Sequence, residues 1–206
     1  MTASTHEQRL IESIDALILV NTQTIDTFIE LVREAGPLPT SLRTVRSWRA
    51  ELSALDPVAR RRAAALPHLL VDLHFRDADW WRDAHSLASR RMTRHEAPQV
   101  VPPKSIISLA RAALMLAWHT VRSETRHATV LLGIAEPVAR ELSKLSPAEV
   151  IRIAERYAYA LTPRWADRPF MWQQFLEAAG TDDSAMKMVQ MRALQLLGGD
   201  LLLRSA

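Results

Sequence analysis

An all-α fold is predicted by three observations on the 206-residue chain. Alanine, leucine and arginine outweigh β-branched and aromatic residues, only five glycines occur, and apolar residues recur at three- and four-residue spacing. With 48% apolar and 24% charged residues the chain can bury a sizeable core, as one larger domain or as two of about 100 residues each.

Leu10, Ile14, Leu17, Ile18, Ile25, Phe28, Ile29 and Val32 fall close to one stripe, which predicts helix over much of residues 6–34. The segment Ala35-Gly36-Pro37-Leu38-Pro39 reads as a C-cap glycine followed by two breakers, after which Thr40 or Ser41 is placed to cap a second, short helix. In Leu52-Ser53-Ala54-Leu55-Asp56-Pro57, Asp56 is a natural N-cap and Pro57 sits at the first helical position, where its missing N–H costs nothing. A helix is expected from there toward Val71.

The same order of leucines, cap and proline returns 90 residues later in Leu142-Ser143-Lys144-Leu145-Ser146-Pro147. Without a gap, this offset pairs Arg62 with Arg152, Ala64 with Ala154, Val71 with Leu161, Phe75 with Trp165, Asp77 with Asp167 and Trp80 with Phe170. Upstream, Leu17-Ile18-Leu19-Val20 answers Leu114-Met115-Leu116-Ala117 if the first copy has the longer loop. Two copies of one helical unit are therefore expected, over residues 1–89 and 105–206. Residues 90–104, with prolines on both flanks of Val100-Val101 and no helical period, read as the linker. At the end of the chain, Met186, Val189, Leu194, Leu197 and Leu201 suggest a tail helix over Ser184–Leu203, interrupted by Gly198-Gly199 and docked on its own domain or on a partner.

The absence of cysteine excludes disulfides, thiolate metal ligands and a cysteine nucleophile. No HExxH pattern occurs, and His68 and His74 do not superpose on His119 and His127 through the repeat, so no metal site is expected. Neither a G-x-S-x-G elbow nor a glycine-rich phosphate loop is present. The acid pairs Asp77 with Asp79 and Asp182 with Asp183 read as caps or solvated edges. No enzyme and no cofactor are expected. The first twenty residues lack a basic n-region, and no uncharged run approaches the roughly 18 residues that span a bilayer, which predicts a cytoplasmic protein without a membrane segment.

A formal charge of +3 tilts weakly toward polyanions. Lys104, Lys144 and Lys187 are the only lysines, so the positive charge is almost all guanidinium, which forks onto phosphate. A GC-rich coding genome produces the same bias. Arg60-Arg61-Arg62 precede the first aromatic cluster, and the candidate DNA contacts beside the two clusters and toward the linker are Arg76, Arg82, Arg90, Arg91, Arg94, Arg164 and Arg168. Trp80, Trp81, Trp165 and Trp172 serve either as core or as anchors for a partner.

Leu131-Leu132-Gly133-Ile134, then Val138-Ala139, Leu142, Leu145-Ser146, Val150, Ile153-Ala154 and Leu161, and finally Arg164-Trp165 and Asp167 make the second copy resemble the bacterial flagellar transcriptional regulator family FlhD. The resemblance covers about 60 residues of the second half and, through the repeat, a weaker version of the first. It implies an all-α, dimeric, non-enzymatic regulator. Such a protein acts with an FlhC-like protein partner, which carries zinc and makes much of the contact to promoter DNA. Two such units on one chain would pack as a pseudo-dimer, as the subunits of a homodimer do, and a homo-oligomer is a further possibility. The first copy departs from the pattern, with Ser47-Trp48-Arg49 near the place of Leu-Gly-Ile. The family's cysteine is absent, so an interchain disulfide is excluded. A protein-interaction module or antagonist that occupies the same partner without touching DNA is the alternative reading.

Overall fold

The computed structural model describes residues 2–34, 36–88 and 102–202. It is all-α apart from one two-stranded ribbon. Of the stripe read from the sequence, helix α1 (Thr2–Arg33) buries Leu17, Ile25, Phe28, Ile29 and Val32 and half-buries Leu10, Ile14 and Ile18. Gly36 does not take a left-handed conformation, so it is no C-cap of the kind expected; Pro37 and Pro39, which have no N–H to continue the ladder, follow the helix end. A 3-10 helix spans Thr40–Trp48 without a side-chain cap. Neither Thr40 nor Ser41 caps it, because the Ser41 hydroxyl donates instead to the carbonyl of Tyr159 at 2.6 Å.

Helix α2 (Arg49–Ala54) leads to α3 (Pro57–Ala64), where Asp56 Oδ1 accepts the Ala59 N–H at 2.7 Å. This helix stops at Ala64, well short of Val71. Pro67 cannot donate to a helical ladder, and buried Asn21 of α1 supplies the competing bonds. Its Nδ2 donates toward the carbonyls of Ala64, Leu66 and His68 at 3.3, 3.3 and 2.9 Å, and its Oδ1 accepts the Leu70 N–H at 3.0 Å. The chain is thereby held extended into strand β1 (Val71–Asp72), and α4 (Ala78–Ala88) follows.

The second half runs through α5 (Lys104–Ser123), α6 (Thr125–Leu132), α7 (Glu136–Lys144) and α8 (Pro147–Tyr157), then a 3-10 turn at Ala158–Ala160 and strand β2 (Thr162–Pro163). It closes with α9 (Pro169–Thr181) and α10 (Asp183–Leu202). Ser146 opens α8 with a reciprocal capping box to Glu149, and these bonds from Ser146 hold the Glu149 carboxyl below its ordinary range. Most of the linker read at 90–104 lies outside the described residues, although its last residue, Lys104, opens α5. The expected break in the tail helix does not occur, since α10 continues through Gly198 and Gly199. An interior glycine keeps its N–H and so weakens a helix by about 1 kcal/mol without removing a ladder bond.

Within each half the long helix packs on the proline-started one, α1 on α3 and α5 on α8, while α1 and α5 meet each other. The last helices cross over: α4 packs on α7 and α8, and α9 packs on α2 and α3. No helix among the described residues is long and apolar enough to cross a membrane.

Candidate functional site

The ribbon lies between the two crossings. Its strands run antiparallel, with Val71 opposite Pro163 and Asp72 opposite Thr162. Both strands lead into a turn that starts on a non-glycine residue in the left-handed region, His74 at φ 51° and Trp165 at φ 54°. Each turn closes with a three-residue bond, Asp77 N–H to His74 carbonyl at 3.0 Å and Arg168 N–H to Trp165 carbonyl at 2.8 Å. Each is then tied by an indole from the helix that follows: Trp81 Nε1 donates to the His74 carbonyl at 3.0 Å and Trp172 Nε1 to the Arg164 carbonyl at 2.7 Å. Ala78 opens α4 and Pro169 opens α9, 91 residues later. In local geometry His74, Asp77 and Trp81 resemble Trp165, Arg168 and Trp172, 91 positions later, instead of Phe75 matching Trp165 and Trp80 matching Phe170.

Burial divides the tryptophans. Trp81 and Trp172 are core residues; Trp172 stacks on Trp48 with centroids 4.7 Å apart and meets Phe28 and Phe175. Trp80 and Trp165 are half-buried. Trp80 stacks on His74 at 4.5 Å and meets Tyr157 edge-on, and Trp165 sets its edge to His68. Phe170, at the start of α9, is 77% exposed.

The candidate arginines fall into three groups. Arg164 is buried and its Nη2 donates to the Leu132 carbonyl, so its guanidinium presents no surface to a phosphate. Beside it Gly133 ends α6 at φ 65°, and a Cβ there would collide with the guanidinium. Buried His68 lies close by; burial, and then the charge of Arg164, push its pKa down to about 3, so the ring is neutral. Arg76, Arg82 and Arg168 form the second group. Arg76 and Arg168 line an open groove of about 740 Å³ between the two turns, among the carboxylates of Asp72, Asp77, Asp79 and Asp167. Arg168 lies 3.8 Å from Asp167, and exposed Arg82 pairs with Asp79. Several of these acids have local duties: Asp72 Oδ1 accepts the Phe75 N–H and Asp77 Oδ1 the Trp80 N–H. Arg90, Arg91 and Arg94 lie outside the described residues. Among the described residues no group of three or more His, Asp or Glu side chains is arranged to hold a metal.

Leu132-Gly133 and Arg164, distant in sequence, thus form one packed node. The comparison with protein families matches residues 92–200 to the family described as flagellar transcriptional activator (FlhD). The chain belongs to the FlhD family. It is accordingly a transcriptional regulator, from a family of activators and not of enzymes. The FlhD match takes in α5 to α9, most of α10 and the whole Gly133–Arg164 node, and leaves the first half outside. Neither the curated proteins nor the solved structures yielded a match.

Two features of this FlhD-family chain escaped sequence reasoning. Asn21 opens the polar run Asn21-Thr22-Gln23-Thr24 within α1, and nothing in that run marks it as the residue whose partners are the buried carbonyls beyond α3. Arg164 reads as a surface cation because the carbonyl that receives it belongs to a residue 32 positions away.

Proposed function

We propose that this chain is a tandem FlhD-like regulator whose two units, residues 1–89 and 105–206 joined by 90–104, pack as a pseudo-dimer. The supporting observation is the reciprocal crossing of α4 and α9 about a ribbon that pairs Asp72 with Thr162. A two-fold axis between two equivalent strands makes their pairing antiparallel, as it is here. The protein is non-enzymatic and cytoplasmic, and acts with an FlhC-like partner on promoter DNA. Arg76, Arg82 and Arg168, with Arg90, Arg91 and Arg94, supply phosphate contacts at the edge of that complex. Trp80 and Trp165, the two rings of the four that solvent reaches, take the partner contact.

One observation favours the alternative of an interaction module that occupies the partner without touching DNA. Four carboxylates surround Arg76 and Arg168 in the groove, and like charges disfavour phosphate there. Co-purification with an FlhC-like protein, followed by gel shift on promoter fragments at two salt concentrations, separates the readings. The activator gives a complex whose DNA shift weakens steeply with salt. A complex that blocks the shift supports the antagonist, and no complex in either case rejects both.

A further inference from the structure

Residues 41–49 are three copies of one triplet: Ser41-Leu42-Arg43, Thr44-Val45-Arg46 and Ser47-Trp48-Arg49. They fill the 3-10 helix Thr40–Trp48, which the N–H of Arg49 extends by bonding back to the carbonyl of Arg46. A 3-10 helix seldom runs past three or four residues, and the triplet is what suits this one to its length. At 3.0 residues per turn, side chains three apart eclipse, so Leu42, Val45 and Trp48 enter the core together. In an α-helix the same positions would drift by about 60° per step and turn Trp48 away from the side of Leu42. The same geometry stacks Arg43, Arg46 and Arg49 in one exposed row, with about 6 Å between successive stems. Arg46 Nη2 donates to the Gly36 carbonyl, which uses one of its five N–H donors. Among the described residues neither Arg43 nor Arg49 has an ion-pair partner, whereas Arg60, Arg62, Arg111 and Arg168 each face a carboxylate.

We propose that this row is a sequence-independent binding edge for the phosphate backbone of DNA, supplied by the half of the chain that the FlhD match leaves outside. A straight row of cations with no acid between them complements a polymer whose anions recur at a fixed step. Phosphates of one strand advance roughly 3.4 Å each along the duplex axis. Three guanidinium groups on flexible stems about 6 Å apart therefore span several successive phosphates without touching a base. Each guanidinium can fork onto a phosphate through two N–H groups. None of the three lines the groove of Arg76 and Arg168, where carboxylates stand among the cations. The inference deepens the DNA-contacting part of the proposed function and rests on that reading, but the row belongs to this chain alone and needs no FlhC-like partner to bind.

Fluorescence anisotropy of the full chain with a labelled duplex of about 20 base pairs and arbitrary sequence, titrated from about 50 to 200 mM salt, tests this. The triple variant Arg43→Gln, Arg46→Gln, Arg49→Gln should lower the slope of log K against log salt by about 2.7, since each phosphate contact contributes about 0.9. The row then accounts for a roughly 40-fold fall in affinity across that salt range. Lysine at all three positions keeps the charge and should keep most of the slope, with circular dichroism confirming the fold of both variants. Replacing exposed Arg111, Arg126 and Arg140 by glutamine removes the same charge elsewhere and should change the slope by less than about 1. A duplex left unbound at about 50 mM salt overturns the proposal, as do equal effects of the two glutamine variants or a slope lost with lysine. A promoter shift by the complex with an FlhC-like protein, unchanged in the row variant while the chain alone ignores the duplex, overturns the row and leaves the regulator standing. A row variant that loses the partner instead of the duplex marks an acidic protein surface as the occupant and also overturns it.

Discussion

Gly133→Ala tests the node that joins the FlhD motif's two ends. Alanine at φ 65° carries the left-handed penalty of roughly 1–2 kcal/mol. Its Cβ would also occupy the place of the Arg164 guanidinium, which must then leave the Leu132 carbonyl. A buried hydrogen bond to a charged group contributes about 1.5–3 kcal/mol. The sum is on the order of 3–5 kcal/mol, which for a chain of this length lowers the melting temperature by roughly 10 °C. Guanidinium unfolding followed by circular dichroism measures it, with Gly36→Ala as the control, since that position has open space and no positive φ. The same change in an Arg164→Ala background isolates the cause. There only the backbone penalty of about 1–2 kcal/mol remains, so the two substitutions couple by about 2 kcal/mol. A Gly133→Ala protein within about 0.5 kcal/mol of the wild type, or an equal cost in both backgrounds, refutes the contact.

Three further outcomes are expected. Asn21→Ala should cost about 2–4 kcal/mol in guanidinium unfolding, because it strands the buried Leu70 N–H and removes the donor that reaches three carbonyls, and Asn21→Asp should cost more by setting a carboxylate against them. His68 is neutral when folded and protonated below its ordinary pKa when unfolded, so the unfolded state binds more protons between pH 6.5 and about 3 and stability falls as pH drops through that window. The loss from pH 7 to pH 5 should be about 2 kcal/mol, and His68→Phe should flatten that part of the profile. Ser146→Ala should cost about 1 kcal/mol by removing the cap of α8. Glu149, whose carboxyl is held low by Ser146, contributes stability that is present above the ordinary carboxylate range and disappears on acidification, so Glu149→Gln should shallow the acid limb of the melting profile.

What the sequence made legible was local in origin. Asp56-Pro57 and Ser146-Pro147 open helices because cap and proline act within one turn, and both do so in the structure. The stripe of α1 was readable for the same reason. What escaped was decided by residues far apart. The end of α3 depends on Asn21, some 45 positions earlier, and on Pro67, a breaker that stands in the sequence before Val71 and that the expected helix passed over. Of the candidate site, the turns beside Trp81 and Trp172 were legible as paired aromatic clusters, but not the spacing that sets them 91 apart. Each strand of the ribbon has two residues, too few for an alternation that would reveal the spacing.

The 91-residue spacing sets against each other two turns that differ in chemistry. Residues that occupy matching places carry opposite charges: Arg76 stands where Asp167 does and Asp77 where Arg168 does, while Asp79 matches exposed Phe170. Within a true homodimer the two turns would be identical, and any partner would find two equal sites. Here one turn offers carboxylates and the stacked pair His74–Trp80, and the other offers an exposed phenyl ring beside Arg168. On the proposed tandem reading, a partner that docks on one turn would meet different groups on the other, so carrying both turns on one chain would make the assembly asymmetric.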